Sequence, residues 1–187
     1  NTIYLPRIAQ LTQRTNQFNL TTRRYTLEQI AQFYINSDYK IYTLELIDRF
    51  GNDGIIGVII LHRLSNDSWE IDMFCLSCRA LGLDIEHVFM SYIIEEARQQ
   101  NIAFLRGIYI PTGKNGMVAH LYDDFGRSES YNLSSGIAIW LIDTKEIKVK
   151  SPEWIKRIEE YSYDTWIMNL RQLENLDGVL TMSITCR

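Results

Sequence analysis

The stretch Trp69-Glu70-Ile71-Asp72-Met73-Phe74-Cys75-Leu76-Ser77-Cys78-Arg79-Ala80-Leu81-Gly82-Leu83-Asp84-Ile85-Glu86-His87-Val88-Phe89 decides how this chain folds. Its first half reads as a strand, with Trp69, Ile71, Met73 and Cys75 on one face and Glu70, Asp72, Phe74, Leu76 and Cys78 on the other. Its second half opens a helix. Ile85, Val88, Phe89, Tyr92, Ile93 and Ala97 recur on one apolar face, while Glu86, Glu95, Arg98 and Gln99 fall outside it and Asn101 suits its end. Between strand and helix, the loop from Arg79 to Asp84 meets a helix N-terminus, where free backbone N–H groups attract anions. Asp84 is placed to cap that helix, and its carboxylate would repel a phosphate there.

Upstream, Ile8, Leu11, Thr15 and Phe18 form a helical stripe, and Thr26 with Gln29 forms a capping box before Ile30 and Tyr34. Strands over 41–48, 54–62 and 69–78 follow, parted by Gly51-Asn52-Asp53-Gly54 and Ser65-Asn66-Asp67. Downstream come a strand over 103–110 stopped by Pro111, a short helix through Val118, Leu121, Tyr122 and Phe125, and a strand over 137–143. Ser151-Pro152-Glu153 opens a last helix carrying Trp154, Ile158, Tyr161 and Thr165. The end, 177–187, reads as a loose tail or an added strand. The expectation is an α/β fold, a mixed sheet flanked by helices, in the order α-α-β-β-β-α-β-α-β-α. This order resembles that of the GNAT acyltransferase fold.

Composition narrows the function. At 187 residues the chain suits one domain spanning 1–187, and 46% hydrophobic with 22% charged residues suits a globular core. A net charge of -4 argues against a nucleic-acid partner. The longest apolar run, 55–61, is interrupted by Gly57 and too short to span a bilayer, so no membrane partner is expected. The chain opens on Asn1 without a signal-peptide pattern and reads as a domain excised from a larger cytoplasmic protein. Three cysteines form no disulfide framework and suit a reducing compartment; Cys75 and Cys78 lack the second pair that a zinc site needs, so no metal is expected.

Longer words in the chain resemble one family. They are residues 7–25 from Arg7-Ile8-Ala9-Gln10 to Arg23-Arg24-Tyr25, Asp48-Arg49-Phe50-Gly51 with Gly54 and Gly57, Ser77-Cys78-Arg79 with Gly82 and Glu86, and Pro111-Thr112 with Lys114-Asn115, Tyr122 and Gly126 adding a weaker match. Together they resemble the C-terminal, GNAT-like domain of FkbH-like proteins, over roughly residues 5–145. The resemblance implies transfer of a glyceryl or related small hydroxyacyl unit, from an acyl phosphate such as 1,3-bisphosphoglycerate, to an acyl carrier protein in polyketide assembly. It implies no tightly bound cofactor. The phosphopantetheine would be presented by the acyl carrier protein, its arm lying in a slot between parting strands. The family's usual companion, a HAD-type phosphatase domain with a D-x-D-x-T motif, would be a further partner in the same protein, and that motif is absent here.

Cys78 is the expected nucleophile. A protein thiol can take an acyl group from an acyl phosphate and pass it to a second thiol, because thioester exchange is nearly isoenergetic. Cys75 points to the other face and reads as core, and Cys186 lies next to the chain end. Asn16, Gln17, Asn19, Arg79, Thr112, Lys114 and Asn115 are the expected substrate-binding residues, with Arg79 and Gly82 toward a cofactor's phosphate. Asn16 and Asn19 read equally well as residues that end a helix and order the turn into Thr21-Thr22. Arg23-Arg24 could meet an acidic carrier surface. His62, His87 and His120 read as surface residues. Two other functions stay open: a carrier-docking module without catalysis, and an acyl-CoA-dependent N-acetyltransferase.

Overall fold

Three α-helices and eight strands arise from the residues described by a computed structural model, which are 2–48, 51–148, 155–157 and 179–186. Helix α1 (Leu5–Arg14) carries Pro6 in its first turn and turns Leu5, Ile8, Ala9 and Leu11 inward. Its backbone becomes extended at Thr15, so the helix ends there and Phe18 lies beyond it, off the stripe that the spacing predicted. Helix α2 (Leu27–Ile35) opens on the expected capping box: Gln29 N donates to Thr26 Oγ1 and Thr26 N donates to Gln29 Oε1.

Strands β1 (Tyr39–Asp48), β2 (Gly51–Arg63) and β3 (Ser68–Leu76) form an antiparallel meander. Helix α3 (Ile85–Gln99) then leads to β4 (Phe104–Tyr109), parallel to β3. At the end of α3, Asn101 takes a φ of 58°, and Ile102 N donates to Ala97 O at 2.9 Å, a Schellman closure. Strands β5 (Arg127–Tyr131), β6 (Ala138–Asp143), β7 (Ile155–Arg157) and β8 (Val179–Cys186) complete a mixed sheet of order β5-β6-β4-β3-β2-β1-β8-β7. One apolar cluster packs α3 (Val88, Phe89, Ile93) on Ile71, Phe74 and Trp140. The other packs α1 and α2 (Ile8, Leu11, Ile30) on Ile41, Val58 and Met73 of the opposite face. The class is therefore the expected α/β one, with helices on both sides of a mixed sheet.

Four local expectations differ. Alternation along β3 breaks at Asp72, because Ile60 pairs with Met73 and Leu61 with Ile71, leaving Asp72 as a bulge. Trp69, Ile71, Phe74 and Leu76 consequently share the α3 face, with Met73 and Cys75 on the other. The short helix near Tyr122 is two 3-10 turns, Gly116–Val118 and Leu121–Asp124. Strand β5 was not expected, since its five residues are all exposed and show no apolar period. The last helix is corrected at Ile155–Arg157, which is strand β7; Trp154, Ile158, Tyr161 and Thr165 lie outside the described residues. Of the two readings of the chain end, β8 takes the added strand, parallel to β1. No helix among the described residues is long and apolar enough to cross a membrane.

Candidate active site

Strands β3 and β4 pair only from Ser68 with Phe104 to Ile71 with Gly107, and part at the Asp72 bulge. Parallel strands that diverge expose backbone donors and acceptors that need partners. Phe18-Asn19-Leu20 supplies them from between the two strands. Leu20 N donates to Phe74 O (3.1 Å), Leu76 N donates to Phe18 O (3.0 Å), and Ile110 N donates to Leu20 O (2.8 Å). Asn19 forms an antiparallel bridge with Cys75. Phe18 and Leu20 join the α3-side core, so the segment alternates as a strand does.

Two residues expected to bind substrate hold this segment instead. Asn115 is fully buried. Its Nδ2 donates to Asn19 O and Ile110 O, both at 2.9 Å, and its Oδ1 accepts from Thr112 N (2.7 Å) and Thr112 Oγ1 (3.0 Å). Asn19, also fully buried, accepts from Thr22 N (2.8 Å) and thereby orders the turn in which Thr22 has a φ of 55°. Asn19 thus orders the turn, the alternative role read for it in the sequence, and the donors and acceptor of the Asn115 carboxamide are engaged inside the protein. Arg23 is also tied within the protein. It pairs with Asp72 and lies near Glu70, while the Tyr25 hydroxyl donates to Asp72 at 2.5 Å, so the half-exposed Arg23 is engaged within the protein. Burial, then the Asp72 hydrogen bond, pushes the Tyr25 phenol well above its ordinary value.

Beside this closed seam lies an open cleft of about 680 Å³. Its floor comes from the end of β3 and the following 3-10 turn, Cys78–Ala80, which Ser77 starts by accepting from Arg79 N at 3.2 Å. Ser77 N donates to Ile56 O at 2.7 Å and ties the turn to β2. One wall is a single stripe of α1, Arg7, Leu11 and Arg14, continued by Asn16 and Gln17; the other carries Gly113 and Lys114. The cleft thus brings together Cys78, Arg79, Asn16, Gln17 and Lys114 of the expected residues. Thr112 lines an adjoining hollow of about 520 Å³ with Arg24 and Lys114. Arg7 and Arg14 were not anticipated, and their signal was only their spacing around Leu11 on one helical stripe.

The cleft is electropositive. Arg7, Arg14, Arg79 and Lys114 line it, and among the described residues no Asp, Glu or His does. Arg7 is held by Ile55 O (3.0 and 3.2 Å) and Gln10, and Arg79 by Asp53 at 3.0 Å. Arg14 and Lys114 make no ion pair among the described residues. Cys78 is exposed, whereas Cys75 is fully buried and burial pushes its thiol up to about 12. The imidazoles sit elsewhere: His62 stacks on Tyr39, His87 meets Asp124 at 3.0 Å and His120 meets Asp123 at 2.9 Å. Among the described residues, no carboxylate or imidazole adjoins Cys78 from the cleft lining.

These residues do not fit coenzyme A in the slot expected for a pantetheine arm. The chain's own backbone fills that slot. At the start of α3, Asp84 has a φ of 50° and makes no capping bond, against expectation, and Glu86 follows in the first turn. Two carboxylates therefore stand where a diphosphate would lie, Arg79 is paired with Asp53, and exposed Gly82 (φ 79°) is required by the turn's left-handed backbone.

The architecture is that of the GNAT acetyltransferases. The ribosomal-protein-S18-alanine N-acetyltransferase from Escherichia coli matches with a TM-score of 0.54 and 12% identity, over 87% of this chain and 96% of that one. A point mutant of the spermidine N-acetyltransferase SpeG from Vibrio cholerae gives 0.58 and 11%, over 78% and 91%. A GNAT-family acetyltransferase from Staphylococcus aureus Mu50 gives 0.55 and 16%, over 77% and 95%. Identities this low show the fold alone. No protein-family model and no curated protein matches the chain.

Proposed function

We propose that this domain is a thiol-dependent acyltransferase that takes a small hydroxyacyl unit, glyceryl by the family resemblance, from an acyl phosphate and passes it to the phosphopantetheine thiol of an acyl carrier protein. One observation carries the reading: Cys78 is an exposed thiol in a cleft that, among the described residues, is lined by four cations and no carboxylate. In the first step the Cys78 sulfur, its proton released to solvent, attacks the acyl carbonyl. A C–S bond forms, the C–O bond to phosphate breaks, and inorganic phosphate departs. Arg14 and Lys114 hold the phosphate as it leaves. In the second step the pantetheine thiol loses its proton and attacks the thioester, and Cys78 departs as thiolate. Asn16 and Gln17 supply carboxamides for the hydroxyls of the acyl unit.

The second reading, an acyl-CoA-dependent N-acetyltransferase, follows the fold neighbours, which are named for N-acetyl transfer. The filled slot and the carboxylates at α3 speak against it. Incubation with the acyl phosphate followed by intact-mass and peptide analysis separates the readings. The expected result is one acyl adduct on Cys78 that moves to the phosphopantetheine of holo-carrier, with both events lost in Cys78→Ala. Undiminished loading of that variant would sink the nucleophile, and acetylation from acetyl-CoA without an adduct would establish the second reading.

A further inference from the structure

If Cys78 does pass an acyl unit to a carrier thiol, the arm bearing that thiol needs a route. We propose that the gap between β3 and β4 is closed to the arm throughout turnover, Phe18-Asn19-Leu20 acting as a permanent strand insert, so that the acceptor thiol approaches Cys78 along the basic cleft on the α1 side.

The backbone groups that an extended arm would pair with are in use. Phe74 O, Leu76 N and Ile110 N are bonded to the insert from both sides of the gap. Opening it would also break the Asn115 Nδ2 bond to Asn19 O (2.9 Å) and the Thr21 Oγ1 bond to Asp72 O (2.9 Å), leaving buried polar groups unpaired. Phe18 is 4% and Leu20 0% exposed, and Phe18 packs edge-on against Phe74 with ring centroids 5.3 Å apart. Displacing them would return two large apolar side chains to water. A displaceable flap is built otherwise, with few buried contacts and solvated hydrogen bonds.

The cleft offers what the gap does not. It already holds Cys78, it is open, and Arg14 and Lys114, which make no ion pair among the described residues, can meet the phosphodiester at the outer end of the arm. A further hollow, about 430 Å³, is lined by Asp123, Asp124, Asp143 and Glu146 together with Arg127, an excess of carboxylates that would repel that group.

A cross-link tests the insert directly. Asn19 and Cys75 are a non-hydrogen-bonded antiparallel pair, the kind whose side chains lie closest, so Asn19→Cys can be oxidised onto Cys75. The oxidised protein, with Cys78 shown by labelling to be still a thiol, is expected to pass its acyl unit to holo-carrier at a rate within about threefold of the same protein after reduction. Transfer lost on cross-linking and regained on reduction would overturn the proposal. Amide hydrogen exchange of the wild type provides a readout that needs no activity. Leu20, Leu76 and Ile110 are expected to stay protected with millimolar coenzyme A or holo-carrier added, and loss of that protection would equally overturn it. A wild type that neither loads nor transfers would defeat the functional reading, while exchange would still decide whether the gap opens.

Discussion

Cys75 and Cys78 are three residues apart, one in β3 and the other in the turn beyond it, and their surroundings separate their chemistry. Cys75 lies inside the α1-side core, opposite Asn19, with its thiol pushed by burial from 9.0 up to about 12. Cys78 lies two residues beyond the end of β3, in the 3-10 turn, and opens to the cleft. Iodoacetamide at pH 8 is therefore expected to alkylate Cys78 in the native protein and Cys75 only after unfolding, which peptide mapping reads; native alkylation of Cys75 would mean the insert is not seated as described. A pH dependence follows from the same shift. The native state keeps the Cys75 proton to about pH 12, whereas the unfolded chain releases it near the ordinary thiol value. The stabilising contribution is thus complete below about pH 8.5 and declines as pH rises toward 12, by up to about 1.4 kcal/mol per pH unit. Denaturant titrations of Cys75→Val should lack that part of the alkaline loss.

Among the elements, α2 and α3 were legible because their ends carry their own signals. Thr26 with Gln29 and Asn101 with Ile102 satisfy backbone groups locally, so neighbouring residues suffice to mark the boundary. Thr26→Ala is expected to cost about 1 kcal/mol, seen as a lower urea midpoint with an unchanged slope. The end of α1 was not legible. Thr15 and Phe18 keep a helical spacing, but the hydrogen bonds that draw the chain out of the helix come from Phe74, Leu76 and Asn115, far along the sequence. Strand β5 was invisible for the opposite reason: its exposed Arg127-Ser128-Glu129-Ser130-Tyr131 has no buried face to write a period, and its pairing with β6 alone makes it a strand.

Across the whole molecule the net charge is -4, yet cations gather at one cleft. That separation is an electrostatic device of the assembled fold, bringing together side chains from α1, the β3 turn and the loop after β4. Raising the salt concentration is expected to raise the KM for an acyl phosphate several-fold and leave kcat nearly constant, because screening weakens capture more than the chemistry that follows. Lys114→Gln should raise the KM at low salt and flatten the salt dependence; a profile as steep as the wild type's would remove Lys114 from anion capture. The seam at Phe18–Leu20 belongs to this scale as well, since it joins the α1–α2 connection, both parting strands and the Asn115 loop.

The sequence by itself determined what depends on neighbours and periodicity: the α/β class and the meander leading into α3, though Cys78, expected at the end of the strand, lies in the turn beyond it. Those features follow from side-chain alternation, helical stripes and caps, all of which act within a dozen residues. The tertiary structure alone decided which polar residues are free to meet a ligand. Asn115 and Lys114 are adjacent and equally polar, but one is wholly consumed by carbonyls and a hydroxyl brought from 96 and fewer residues away, and the other faces the cleft. Whether a buried carboxamide is a ligand-binding group or a clasp depends on whether its hydrogen bonds are already made, and those partners come together only when the chain has folded.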